Sequence, residues 1–594
     1  MQNPENSKIH FKINWETIWH LCRKSVSTIG YHVKHKNRQI LGVKVKTYLE
    51  KNESISFKVF LGLLLSLVPV FVLTYPKYGT TDDYILDTWF NGYYTGSFEN
   101  EAIFVTSIFS KFISSLYAIN STIAWYGLTL LFVTLTSVAT ISKIIINSEK
   151  ISRQVKLTIL LILFLFTVWN YLGITYTATA IISAAAGILL LLSNITNKKK
   201  YGTIFPLIFL SISFIIRPET LLGAILVLYP LYILKVEINR KSIKQVFVTL
   251  IALICLFLVN NFAEENESIE IKQYREWTKK VQMFAGKPRM DFAAKVIDET
   301  GWTPTEYNLF KDLAYFDEQN YTSEWIDQAL KATDFVTTKP DLSFGNLKNI
   351  LNKYVNSTSF FLMFLPIFLL ALFTRHRPGV MKLGLLFYFI NFGLLHTYTG
   401  LFLHNVPRVT IPLLVGFMVG LIFLFEKKGK DRKIEIMFSV IIALIGLYYL
   451  EDYNSQNRDK IISTKELSKS IKAQLKSKIL LIHGNQEYSQ NANPFKRTSP
   501  ETDQNVFMVG NWDTFSPHWE ERALNIGLNT EEIVKELTTN PKIVWSGPTI
   551  PNTTLNLANF LRESGYGEFQ PQKIGSLTNG NELWSFSESE VKIK

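Results

Sequence analysis

Long apolar runs alternate with short links rich in lysine and arginine, and this alternation constrains the fold more than any other feature of the chain. A bilayer core is crossed by roughly 20 apolar residues in a helix. Runs of about that length begin near Ser56 and recur as far as Leu450. The net charge of +13 would suit a nucleic-acid binder if it were spread over one surface. Much of it instead sits in links between apolar runs, where it sets membrane orientation. Nucleic acid is therefore not expected as a partner, and the expected fold class is an α-helical polytopic membrane protein with about eleven spans.

The expected spans are Ser56–Tyr75, Ile123–Ile146, Leu157–Asn170, Thr175–Ser193, two within Thr203–Val236, then Lys244–Val259, Ser359–Phe373, Val380–Thr397, Val409–Phe425 and Ile434–Leu450. The run Thr203–Val236 is divided because one helix of that length would extend about 50 Å, too far for a single crossing. The break is placed at Arg217-Pro218-Glu219. Five basic links then share one side: Lys150/Arg153/Lys156, Lys198 to Lys200, Arg240/Lys241/Lys244, Arg375/Arg377/Lys382 and Lys427/Lys428/Lys430/Arg432/Lys433. The opposite links at 171–174, 216–219 and 398–408 contain only Arg217 and Arg408. The positive-inside rule puts the five basic links and the N-terminus in the cytosol. The organisation expected is a basic cytosolic segment (1–55), a transmembrane module (56–261) with an outer loop at 76–120, a mostly helical outer segment (262–356), further spans (357–450) and an outer domain (451–594). The location expected from the charge pattern is a membrane crossed many times, with the C-terminus outside.

Within the first outer loop, Ala102–Ile119 has Thr106, Ser107, Ser110, Lys111, Ser114 and Ser115 at helical spacing, opposite Val105, Ile108, Phe109, Phe112, Ile113 and Leu116. That pattern predicts an amphipathic helix lying along the interface. The C-terminal tail reads as a small α/β domain. Strands are expected at Lys478–His483, Lys542–Trp545 and Glu582–Phe586, and helices at a capping box of Asn529 and Glu532 and at Thr554–Glu563, ended by Gly565. Trp277, Trp302 and Trp325 are expected to dock the outer segment on the membrane domain. The two cysteines, Cys22 in a basic segment and Cys255 in an apolar run, are not expected to pair.

The stretch Gly79-Thr80-Thr81-Asp82-Asp83-Tyr84 follows the first run closely. Two adjacent carboxylates there suit a divalent cation (Mg or Mn) or removal of a hydroxyl proton, but acids in a loop also serve as solvated surface or as helix caps. Asp87 lies four residues after Asp83 and can share its helical face. Arg217 interrupts an apolar stretch, where a charge is costly unless paired. Its partner is either a phosphate, which its fork fits, or Glu219 or a helix end. Arg408 is similarly placed, and Lys111 and Lys77 are further cations on the same side. His396 and His404 lack the neighbours of a metal site. P-loop, GxGxxG and GxSxG patterns do not occur in a supporting context, which disfavours nucleotide hydrolysis and α/β-hydrolase chemistry.

The layout resembles the GT-C superfamily of glycosyltransferases, multispan enzymes that use polyprenyl-phosphate-linked sugars. Its members carry acidic residues in the first outer loop and then an amphipathic helix beside the membrane. The matching stretches are Thr81-Asp82-Asp83-Tyr84 and Ala102–Ile119. The stretches Trp89–Gly96, Phe214–Thr220 and Gly301–Tyr307 are similar to bacterial envelope proteins assigned to that class. The WWDYG motif of oligosaccharyltransferases is absent. The resemblance implies a sugar moved from a polyprenyl-phosphate donor in the membrane lipid to a glycan or envelope acceptor on the outer face, with inversion. Asp82 or Asp83 is then the base, and Arg217 first and Arg408 second are the phosphate ligands, with Lys111 and Asp87 near the substrate. A lipid flippase or transporter without transferase chemistry is the rival, although no internal repeat favours it.

Overall fold

The computed structural model describes residues 61–332, 384–395 and 406–588 apart from short stretches within them. The segment 1–55, the span Ser359–Phe373 and the part of the outer segment at 333–356 lie outside the described residues. The described residues from Gly62 onward belong to one compact unit.

The chain enters through an apolar helix α1 (Leu61–Leu73) and a two-residue strand β1 (Lys77–Tyr78). Then come α2 (Thr81–Phe90), α3 (Ser107–Ile119), α4 (Trp125–Asn147) and α5 (Arg153–Leu172). A second short strand, β2 (Gly173–Ile174), leads into α6 (Tyr176–Thr196). Next are α7 (Ile204–Ile216), α8 (Pro218–Lys235) and α9 (Arg240–Glu265). Five of these, α4, α5, α6, α8 and α9, are long and apolar enough to cross a membrane. The expected break falls at Arg217, which is extended (φ −158°, ψ 100°) and caps both α7 and α8. Pro218 suits the first position of α8 because its missing N–H has no helical partner there.

Helix α6 is the centre of the bundle and packs against α4, α7 and α8. Ala178, Ala180, Ala184 and Ala186 are fully buried, and such small side chains let helices approach closely. Helix α9 is the opposite case. Phe247, Leu250, Phe257 and Leu258 are each more than half exposed. A continuous apolar surface of that kind is stable against lipid and not against water, so the protein is a multi-pass helical membrane protein.

Helix α3 is amphipathic as expected, beginning at Ser107. Its serine face turns into the protein: Ser107 donates to Glu267 and Ser114 to the carbonyl of Glu99. Phe112 and Ile119 face outward.

The polar segment after α9 begins with α10 (Ile269–Ala285), α11 (Ala293–Thr300), α12 (Pro304–Lys311) and α13 (Ser323–Ala332). Trp277 and Trp302 depart from expectation. Trp302 packs within the segment on Phe310 and Tyr321, and Trp277 meets Phe515 of the C-terminal domain, because both rings find aromatic partners there. Two apolar helices follow, α14 (Leu386–Leu395) and α15 (Pro407–Gly420); α15 also packs on α6.

The helix before the C-terminal domain, α16 (Arg432–Leu475), has 44 residues and would extend about 66 Å. It continues past the expected end of the span because no glycine or proline interrupts 451–475. The C-terminal domain contains β3 (Ile479–His483), β4 (Val506–Val509), α17 (Pro517–Asn525), α18 (Ile533–Thr539), β5 (Ile543–Ser546), α19 (Pro551–Glu563), β6 (Phe569–Ser576) and β7 (Glu582–Glu588). Its sheet order is β4-β3-β5-β7-β6, parallel across β4, β3 and β5 and antiparallel beyond. Phe507, Trp519, Trp545 and Leu561 lie in its core. The expected capping box does not form. Glu532 is the cap without a side-chain bond, and the backbone amide of Asn529 donates to Glu536 instead.

Candidate functional site

The acidic loop is fixed at the end of the bundle by backbone pairing. Lys77 and Tyr78 of β1 run parallel to Gly173 and Ile174 of β2, and the amide of Gly79 donates to the carbonyl of Ile174 at 2.9 Å. A Cβ on Gly79 would collide with the Thr175 side chain and the Gly173 carbonyl oxygen, so this approach requires glycine. Helix α2 starts directly afterwards, capped by Thr80, with Asp82 and Asp83 in its first turn. Carboxylates are favoured at that positive end.

The three acids occupy different environments. Asp83 is fully buried. Its Oδ1 accepts from the Tyr126 hydroxyl at 2.9 Å and from the Tyr176 amide at 2.8 Å, and its Oδ2 accepts from the Thr80 hydroxyl at 2.6 Å. Burial pushes its carboxyl up to about 7, with the charge of Asp82 adding to the rise and the three donors opposing it. Asp87 is also buried, and the hydroxyls of Tyr78 and Tyr117 each donate to it at 2.5 Å. Burial raises it to about 6 against those two donors. Asp87 thus ties α2 to β1 and α3 rather than facing an open site. Asp82 remains partly exposed, with its Oδ2 3.2 Å from Nη1 of Arg408.

Arg217 completes the arrangement from the α7–α8 break. Its Nη1 donates to the Tyr176 hydroxyl at 3.0 Å and to Thr177 Oγ1 at 2.7 Å. Its guanidinium carbon lies 5.1 Å from the centre of the Tyr176 ring. Glu219 stands farther off, at 3.8 Å, and is largely exposed. An exposed pair at that distance contributes little, so the structural partners of Arg217 are Tyr176 and Thr177. Tyr176 thus contacts Arg217 through its hydroxyl and Asp83 through its backbone amide, while the adjacent Asp82 pairs with Arg408.

Four residues singled out in the sequence therefore meet around Tyr176, which carries no sequence signal of its own among 26 tyrosines. Tyr126 and Thr177 were missed for the same reason. Three helices, α6, α8 and α15, begin at this place, and the last two have no side-chain cap. Open helix N-termini and two arginines together make an environment suited to an anion. Lys111 does not join the group and is exposed on α3. Lys77 is buried in β1. Asp82 has a guanidinium as its neighbour, and the oxygens of Asp83 accept three hydrogen bonds.

The C-terminal domain holds the loop from the other side. The Tyr94 hydroxyl donates to Asp513 at 2.7 Å and the Asn525 amide to the Thr95 carbonyl at 2.6 Å. The rings of Trp89 and Trp512 meet edge to face at 5.4 Å.

No family model matches the chain, and no curated protein matches it either. Among solved structures it is similar to ArnT from Cupriavidus metallidurans, in the apo state and bound to undecaprenyl phosphate. Each comparison has 11% identity and a TM-score of 0.36, and covers 91% of this chain and 98% of the other. At this degree of likeness the functional reading rests on the chain's own residues.

Proposed function

We propose that the chain is a membrane glycosyltransferase of the GT-C type, moving a sugar from a polyprenyl-phosphate donor to an envelope acceptor on the outer face. The observation that carries this reading is the linkage of four charged residues at one place: Asp82 pairs with Arg408, and Asp83 and Arg217 bond the backbone amide and the hydroxyl of Tyr176. It supports a site with one accessible carboxylate beside two guanidinium groups at the start of three apolar helices. A lipid-anchored phosphate presents its charge at such a boundary.

In this reading Asp82 is the base, because Asp83 is enclosed and already accepts three hydrogen bonds. Asp83 is a positioning residue that holds the start of α6 against α2. The acceptor oxygen attacks the anomeric carbon as its proton passes to Asp82, and the bond from carbon to phosphate oxygen breaks. The sugar is inverted and the polyprenyl phosphate leaves with its charge stabilised by Arg217 and Arg408. Donor phosphate competes with Asp82 for Arg408, so donor binding frees the base. No step is assigned to a metal at this pair.

The test is turnover of radiolabelled polyprenyl-phosphate sugars to free polyprenyl phosphate by protein in nanodiscs supplied with envelope glycan. Asp82→Asn is expected to lose about 10²–10⁴-fold in rate while remaining folded. Wild-type turnover by that variant would remove Asp82 from the reaction.

A further inference from the structure

A second group of polar side chains lies away from the four charges, between the first outer loop and the C-terminal domain. His518 and Glu521 project from α17, three residues apart and so on one face. Glu99 faces them from the loop after α2. Its Oε1 accepts from Thr95 at 2.7 Å and from Ser97 at 2.5 Å. Its Oε2 lies 3.4 Å from Nδ1 of His518. Ligand atoms of Glu99, His518 and Glu521 all fall within 4.8 Å of one another.

The surroundings of His518 orient its ring. The side chain is buried, with Nε2 3.0 Å from the carbonyl oxygen of Glu101 and Nδ1 facing the Glu99 carboxylate. With the ring proton on Nε2 for the Glu101 carbonyl, the lone pair of Nδ1 points toward the glutamates, where a bound cation would bridge it to them.

We propose that Glu99, His518 and Glu521 bind a divalent transition-metal cation, of the zinc or manganese type, that pins the first outer loop to the C-terminal domain. Nε2–H then donates to the Glu101 carbonyl, the arrangement that commonly orients a metal-bound histidine. The lone pair of Nδ1 and one oxygen from each glutamate are the ligands. Bonds of about 2.0–2.1 Å to zinc imply tetrahedral ligand separations of about 3.3 Å. The gap of 3.4 Å between His518 and Glu99 is close to that, and the exposed Glu521 closes by side-chain rotation. Trp89 lies against the imidazole, ring centres 4.3 Å apart, and fixes its plane. This role goes beyond the transfer reaction and stands whether or not transfer occurs.

The experiment uses the full chain in detergent, stripped with EDTA and titrated with Zn²⁺ or Mn²⁺ against a chromophoric chelator, with unfolding temperature followed in parallel. One Zn²⁺ per chain and a raised unfolding temperature are expected, with weaker binding of Mn²⁺. Glu521 is exposed, so Glu521→Gln should leave the metal-free unfolding temperature unchanged and weaken Zn²⁺ binding at least about tenfold. Glu99→Gln should weaken it similarly, and Asp82→Asn should not, which separates this site from the four charges. Lack of one-to-one binding by the wild type, undiminished affinity in Glu521→Gln, or loss of binding in Asp82→Asn would overturn the assignment.

Discussion

Replacing Asp83 with asparagine tests whether this acid acts as a positioning group. Asparagine has nearly the same shape, and its Oδ1 can keep the bonds from Tyr126 and from the Tyr176 amide. Its amide nitrogen would face Thr80 Oγ1, 2.6 Å from the present Oδ2, and that hydroxyl can turn to accept. What the substitution removes is a buried carboxyl. The folded state raises this group from 3.8 to about 7, so it favours the protonated form. Below about pH 4 the group is protonated in both states and has no cost. As pH rises from there to about 7, the unfolded chain ionises freely and the folded one does not, and stability is lost. At about 1.4 kcal/mol per pH unit the loss reaches about 4 kcal/mol above pH 7. Denaturant unfolding in detergent across this range is the assay. Asp83→Asn should match the wild type near pH 4, exceed it by up to about 4 kcal/mol near pH 8, and keep most of the transfer rate. Asp83→Ala should be less stable than Asp83→Asn throughout, because Tyr126 and the Tyr176 amide lose their acceptor at about 1–3 kcal/mol each. A difference between wild type and Asp83→Asn that does not vary with pH would refute the buried-charge reasoning.

The remaining expectations concern Arg217 and the topology. Arg217→Lys keeps the charge but loses the fork, so undecaprenyl phosphate should bind more weakly in purified protein, and Arg217→Ala more weakly still. Unchanged lipid-phosphate affinity, with lowered stability alone, would restrict Arg217 to its bonds with Tyr176 and Thr177. Ser97→Cys, Ser323→Cys and Ser587→Cys should each react with an impermeant thiol reagent in intact cells. Protection of the last two, with labelling of Lys199→Cys, would reverse the orientation.

The sequence made the break at Arg217 legible because an apolar run too long for one crossing contained an arginine followed by proline, and a helix starts readily at proline. The approach of Asp82, Asp83, Arg217 and Arg408 was foreshadowed only by their shared side in the charge pattern. What joins them is not written locally. The pairing of β1 with β2 involves two residues on each side, too few for a periodic signal, and the Tyr176 backbone amide serves Asp83 whatever side chain it bears. Asp87 was read as a group facing the substrate because spacing gives its helical face but not what covers that face, here Tyr78 and Tyr117. The polar face of α3 was legible as a pattern, but its burial against Glu267 was not. In the tail, strand Val506–Val509 and helix Pro517–Asn525 were missed, and with them His518, whose partner Glu99 is more than 400 residues away in the chain.

The central claim is that a lipid-anchored phosphate binds where the two arginines meet the acidic turn of α2. A density map of the protein in nanodiscs with undecaprenyl phosphate tests it most directly. The account predicts the phosphate within hydrogen-bond reach of both Arg217 and Arg408, with Arg408 drawn away from Asp82 and that carboxylate open to the acceptor side. A phosphate seated elsewhere, with Arg408 still on Asp82 and Arg217 still on Tyr176, would contradict it.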